Sequence, residues 1–425
     1  RWIAGQMGSR TEPRVAVLIT GGIALFIVML GDLDAVAPII SMFFLNTYGM
    51  VNLTGAIEKL VDTPSYRPRF RIPWWVSLLG ALGCYGAMFL INPVATIFAI
   101  VISYGFFLYL QQRSIQSTWG DVRSGVWFAV SRWALLNLEK THWTAKNWRP
   151  NIIVFTGQPH NRQQLVELAK WLSLGQGLVS FFQLIIGDPK EMARSGIQDK
   201  ARQRIREYIA ENDMSAFAEA DIVPDFRTGA TTLVQGHGIG GIEANSVLMG
   251  WSRTPGGRAM QMGLMRDFTL LHKSTLFLNY DDERQYGKRR RLDVWWQGRG
   301  GNEDLMLLLA YIIERHPTWR NAEVRLMRII DSHEGVPDTT DHMNRLLTAV
   351  RVDAEPLVIV NAGHRPVSEI IKANSVDTDL TIMGMGLPAD GEEAIYAERL
   401  NALVESVGSV LLVRNAEDYD ILAGN

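Results

Sequence analysis

The chain has 425 residues, of which 47% are apolar and 20% charged, and its formal net charge is −2 at pH 7. That near-neutral balance argues against a nucleic-acid partner, and a single cysteine, Cys84, excludes disulfides and cysteine-based zinc sites within one chain. The average hides an asymmetry: residues 1–113 carry 13 charged side chains, whereas the other 312 residues carry 73, the density of a soluble region long enough for two domains.

In chain order, uncharged runs cover residues 15–31, 35–57 and 72–112, the last broken by Asn92-Pro93 into 72–91 and 93–112. At about 1.5 Å per residue a 20-residue helix spans a hydrocarbon core of about 30 Å, so four transmembrane helices are expected within residues 1–113. Arg1, Arg10 and Arg14 precede the first run, Lys59, Arg67, Arg69 and Arg71 separate the second from the third, and Arg113 follows the fourth. The positive-inside rule makes these places cytoplasmic and puts Asp32, Asp34 and Asn92-Pro93 outside. Trp74 and Trp75 fit an interfacial belt. The expectation is a multi-pass cell-membrane protein, with the lipid bilayer as its partner and everything after residue 113 in the cytosol. Four core helices of a soluble protein are the bland alternative. The start at Arg1 rather than Met, with no secretory signal, reads as a piece whose N-terminal portion is missing.

Residues 114–146 form a connector. Val122, Val126, Ala129, Val130, Trp133, Leu136 and Leu138 recur near a 3.6-residue period, which predicts an amphipathic helix over 119–138. From residue 147 short apolar runs alternate with longer amphipathic ones, the pattern of a mostly parallel sheet covered by helices. Strands are predicted at 151–156, 179–186, 221–223, 246–250, 275–279, 292–297, 323–329, 357–362, 380–385 and 409–413. Helices are predicted at 162–174, 197–212, 257–272, 302–315, 343–350, 366–373 and 392–407. Weak periodicity over 279–291 divides the region into two α/β subdomains in tandem, 147–285 and 286–425.

Within the second apolar run, Pro38, Ser41, Asn46, Thr47, Tyr48 and Asn52 bring polar groups into the bilayer. Such groups face a neighbouring helix or a water-filled path; an ion route and plain interhelical hydrogen bonding both fit. Tyr48 and Asn52, four residues apart, share a helix face, and a phenol is a neutral donor able to replace part of an anion's hydration. The sequon Asn52-Leu53-Thr54 lies inside a span and is read as unused. The glycine-rich stretch 236–241 follows a helical segment and enters a strand, the reverse of a phosphate-binding loop, and is read as a tight turn. Lys288-Arg289-Arg290-Arg291 reads as a solvated loop. Trp295-Trp296 and Asn302-Glu303-Asp304 read as packing and capping. The histidines show no metal spacing, although His364 follows a predicted strand end, where α/β folds bind ligands. No catalytic constellation stands out, so no enzyme and no cofactor are expected.

Several stretches together resemble the cation-chloride cotransporters of the amino acid-polyamine-organocation superfamily. They are VAPIISMFFLNTY at 36–48, RPRF at 67–70, WVSLLGA at 75–81, NWRPNI at 147–152 with Thr156-Gly157, and GIGG at 238–241. NSVLMGW at 245–251, DVWW at 293–296, TDLTIM at 378–383 and VLLVR at 410–414 continue the likeness in order. The resemblance implies that the four spans are the last four of twelve helices in an inverted-repeat, permease-type transporter. It implies that Tyr48 helps bind chloride and that the potassium- and sodium-binding residues lie outside this chain. It further implies a homodimer formed through residues 72–112 and the cytosolic region, with a fold similar to universal stress proteins. Some proteins of that fold bind ATP through G-x-x-G-x9-G-[ST]; Gly384, Gly386, Gly391 and Gly408-Ser409 lack that spacing. The expected activity is coupled movement of chloride with potassium, with or without sodium. The alternatives are an amino-acid or polyamine permease, or a cytosolic module that senses a nucleotide or a partner.

Overall fold

A computed structural model describes residues 14–29, 33–61, 72–112, 122–141, 148–297 and 301–416. Two compact units emerge, Arg1–Ala134 and Leu135–Asn425. Arg1, Arg10, Asp32, Arg67, Arg69, Arg71 and Arg113, on which the predicted orientation leans, lie outside the described residues, as does His142.

The first unit contains helices α1 (Arg14–Met29), α2 (Leu33–Val61), α3 (Trp74–Ile91) and α4 (Pro93–Gln112), followed by most of α5 (Val122–Glu139). The expected break at Asn92 is sharp. Its backbone is extended, its amide still donates to Met88 O, and its side-chain oxygen accepts from Ala95 N at 3.0 Å, which caps α4 with Pro93 at its first position. Among the described residues one helix, Trp74–Ile91, is long and apolar enough to cross a membrane, and Pro93–Tyr109 is a shorter apolar stretch. Among the described residues a small apolar knot is buried, Met42, Met88 and Ala99 with the partly buried Phe43, Leu45, Tyr85 and Ala95 around it, and Asn46, Ala56, Ala81 and Thr96 are buried as well. Leu79, Leu82, Leu90, Val94, Phe98 and Val101 are exposed. Apolar side chains presented outward on this scale are what a lipid-facing surface requires and what a water-facing one avoids.

The second unit is a single ten-stranded sheet with helices on both faces. In chain order its elements are β1 (Asn151–Phe155), α6 (Gln163–Ser173), β2 (Leu178–Ile186), α7 (Pro189–Met192), α8 (Ile197–Glu211) and β3 (Phe217–Val223). Then come α9 (Phe226–Gly236), the hairpin strands β4 (Gly238–Ile239) and β5 (Ile242–Glu243), β6 (Ser246–Gly250), α10 (Pro255–Leu270) and β7 (Ser274–Asn279). The rest are β8 (Arg291–Trp295), α11 (Glu303–Glu314), β9 (Glu323–Ile330), α12 (Val336–Val350), β10 (Glu355–Val360), α13 (Val367–Ser375), β11 (Leu380–Gly384), α14 (Glu393–Val404) and β12 (Val410–Arg414). The strand order is β10-β9-β8-β11-β12-β7-β6-β1-β2-β3. Every pair is parallel except β12 with β7, which runs antiparallel. Each half therefore repeats one doubly wound order, and the two halves join edge to edge at their fifth strands. Instead of two separate cores, one apolar layer beneath α6, α8, α11 and α12 runs across both halves, and a second lies beneath α9, α10, α13 and α14.

The junction is cross-braced. Trp251 Nε1 donates to Asn401 Oδ1 at 3.1 Å, and the buried Arg258 guanidinium grips both Glu398 oxygens at 2.8 and 2.9 Å. The basic run 288–291 is tied into the fold. The Asp379 carboxylate accepts from the amides of Lys288, Arg290 and Arg291, while Arg289 covers Trp171 and pairs with Glu167. Gly287, at φ +48°, is required there, because a Cβ would stand 1.8 Å from Asp379 Oδ1.

Candidate functional site

The polar cluster of α2 divides once its partners are seen. Asn46 is buried and donates to Ser103 Oγ on α4 at 2.8 Å, which is interhelical hydrogen bonding. Thr47 Oγ1 and Asn52 Nδ2 turn back onto their own helix, at Phe43 O (2.8 Å) and Tyr48 O (2.9 Å). Asn52 also lies against α3, where a Cβ on Gly80 would approach its side chain to 3.1 Å. Tyr48 goes the other way: its side chain is 59% exposed. Its neighbour Gly49 is buried, and a Cβ there would come within 3.0 Å of the Tyr85 ring on α3. A glycine at that position lets α2 press close to α3 while the phenol one residue earlier stays clear of the packing. The Asn52 side chain thus lies against α3 and its own helix, whereas the Tyr48 ring, like the exposed Ser41 and Thr47, is offered outward. A phenol so placed can donate one hydrogen bond to an anion.

The second unit carries two crevices where its strand order reverses, the places at which doubly wound sheets hold ligands. One, of about 650 Å³, opens at the carboxyl ends of β1, β6 and β7 and is lined by Arg162, Gln164, Ser252, Arg253 and Gln261. The other, of about 660 Å³, lies at the ends of β8, β9 and β11 with Trp296, Asp331, Tyr396 and Arg399 along it. The Gly386 amide in the second already donates to Tyr396 Oη at 2.8 Å. Burial raises the Tyr396 pKa, opposed by that bond and by Arg414, which keeps the phenol protonated. His364 occupies an exposed turn at φ +48° after β10, its amide bonded to Asn361 O. The stretch 236–241 forms the end of α9 and a two-residue hairpin turn.

Sequence reasoning missed the strongest polar constellation. Asp293, fully buried on β8, receives Arg325 Nε and Nη2 at 2.7 Å each, and the Ser375 and Thr378 hydroxyls at 2.5 Å. Trp295 Nε1 in turn donates to Ser375 Oγ at 3.0 Å. Burial weakens the Arg325 guanidinium's hold on its proton, and the bonds to Asp293 more than restore it, for a net rise in pKa. Every member is satisfied within the protein, so the constellation is structural. An aspartate in the middle of a predicted buried strand was the available signal.

A family model for amino acid permeases matches residues 2–154, and the solute carrier family 12 model matches residues 162–274 and 263–367. The chain is solute carrier family 12-like. Among solved structures it is similar to the cytoplasmic domain of a prokaryotic cation chloride cotransporter, at 15% identity over 65% of this chain and 99% of that one, with a TM-score of 0.49. It is also similar to a universal stress protein from Archaeoglobus fulgidus, at 13% identity over 64% and 98%, TM-score 0.41. A third likeness is to a putative universal stress protein from Pseudomonas aeruginosa, at 12% identity over 66% and 96%, TM-score 0.40. The α/β architecture of the solute carrier family 12-like chain is defined by its own strand order. Both family models describe membrane carriers, and the chain's likeness is to these.

Proposed function

We propose that this chain is part of a secondary active symporter that couples chloride to potassium, with or without sodium, rather than part of an enzyme. The reading is carried by one observation: an amino acid permease match in the helical unit is followed, in order, by a solute carrier family 12 match in the α/β unit. In this proposal residues 15–31, 35–57, 72–91 and 93–112 all span the bilayer, and two copies associate through residues 72–112 and the α/β unit. Tyr48 donates its phenolic hydrogen to chloride on its way through, an assignment supported by the outward exposure of its side chain.

Rubidium uptake into proteoliposomes carrying the whole protein, with chloride or gluconate as the external anion, tests the coupling; uptake is expected to require chloride. Tyr48→Phe removes the donor and keeps the ring, so chloride-dependent uptake should fall several-fold through a raised half-saturating chloride concentration, with membrane insertion unchanged. Unaltered chloride dependence would remove Tyr48 from the ion path. The amino acid permease match also favours a second reading, an amino-acid or polyamine carrier on the same scaffold. Uptake indifferent to chloride but competed by amino acids would establish it.

A further inference from the structure

Ile239–Gly240–Gly241–Ile242 is a two-residue hairpin whose central residues both have left-handed φ, +60° and +75°. Turns of this hand require such φ values and accept Asn or Gly at the first centre. Asparagine would therefore satisfy the turn at residue 240. What it would not satisfy is the neighbour, the end of α5. A Cβ at Gly240 would stand 3.0 Å from Leu135 Cβ and 3.2 Å from Leu135 O, whereas one at Gly241 would keep an ordinary 3.6 Å from Leu138. Leu135, Leu138 and the hairpin all belong to the second unit.

We propose that the β4–β5 hairpin is a releasable seat for the last turn of α5, with Gly240 as its bearing surface. Apart from the contact of its tip with α5, the polar and ring contacts that hold the hairpin among the described residues lie at its base. Glu243 pairs with Lys273 at 3.1 Å, Asn151 Nδ2 donates to Glu243 O at 3.2 Å, and His237 meets Phe182 edge-on. Its two strands pair with each other and with none of the ten strands of the main sheet, and a lone two-stranded hairpin is marginal in water. Beneath it lies a hollow of about 360 Å³ lined by Ile152, Ser180, Phe217, Glu219, Ile239 and Ile242. The hairpin thus has room to sink away from α5 without disturbing the sheet. Seated, it holds the carboxyl end of the connecting helix; lowered, it frees it.

Hydrogen exchange of the full chain in lipid nanodiscs tests this. Gly240→Asn keeps the turn and fouls the seat, so amides of residues 135–139 should exchange about tenfold faster, with β1 and β6 unchanged. Gly241→Asn adds the same side chain where α5 leaves space, at a second centre that favours glycine, so it strains the turn without crowding α5 and should alter exchange in residues 135–139 less than twofold. From the other side, Leu135→Ala should speed exchange in residues 238–243. Equal effects of the two asparagines, no effect of Gly240→Asn, or acceleration spread through β1 and β6 in any variant would overturn the seat.

Discussion

Ile153 and Asp293 hold matching places. Each is the third residue of the strand that leads its half of the sheet, and each is fully buried. In register, Ile153 lies opposite Ser180 on β2, and Asp293 lies opposite Arg325 on β9. One half fills this position with hydrocarbon, the other with an ion pair whose remaining lone pairs are taken by Ser375 and Thr378. A doubly wound half-sheet therefore fixes backbone topology without fixing the polarity at its centre. Either solution works provided it is complete, because an apolar side chain leaves no group unpaired and the ion pair satisfies every group it buries.

The largest expected effect comes from breaking one solution or misplacing it. Asp293→Ala strands the Arg325 guanidinium and should cost about 3–5 kcal/mol, read from urea unfolding followed by tryptophan fluorescence. Ile153→Asp puts a carboxylate in the first half with only Ser180 across from it and should cost at least as much. The double change Asp293→Leu with Arg325→Leu should cost less than Asp293→Ala alone. A double variant worse than the single would show that the ion pair is needed for more than mutual satisfaction. A smaller effect is expected at the brace between halves. Trp251→Phe keeps the ring and loses the bond to Asn401, worth about 1 kcal/mol; a loss beyond about 3 kcal/mol would mean that the halves depend on each other more than their repeated topology suggests.

The smallest effect is a pH dependence confined to the first half. Burial against Phe182 holds His237 below its ordinary value of 6.5, with Glu219 pulling it up and Lys273 pushing it down; Glu219 is itself paired with Arg202, and Lys273 with Glu243. The folded protein accommodates the neutral ring. Its contribution is therefore complete above pH 6.5 and is lost as pH falls through the lowered folded value. Wild type should lose more thermal stability than His237→Gln on moving from about pH 7.5 to about pH 5.5; equal losses would show that burial of the imidazole has no linkage to folding.

Much of this molecule was legible in its sequence because the signals are local. The ten strands of the main sheet stand where alternating runs placed them, and Glu303 and Asp304 open α11 as acidic first-turn residues should. Helix α9 is expected only as a helical segment without bounds before residue 236, because Thr228, Gly229, Thr231 and Thr232 have little helical propensity. It forms because Asp225 caps Thr228 N, and because Gly229 lets it press on Val223, where a Cβ would lie 2.7 Å away. Helix α12 begins at Val336, well before the predicted 343, because Pro337 in the first turn is a favourable start rather than a break. Joining of the halves through β7 and β12 had no local signal, since it pairs strands far apart in sequence. At the candidate ion site, residue types were legible and directions were not. That Asn46 faces α4 while Tyr48 is exposed depends on where Gly49 lets α3 approach.

The antiparallel seam also sets an order of events. The edge of β7 that bonds to β12 is complete once Asn279 is made, but its partner begins at Val410. At roughly 5–20 residues per second of synthesis, that edge waits on the order of ten seconds with unpaired amides and carbonyls. A nascent chain in this interval offers a ready template to other extended segments. The newborn sheet is thus exposed to mispairing along β7 until β12 is delivered.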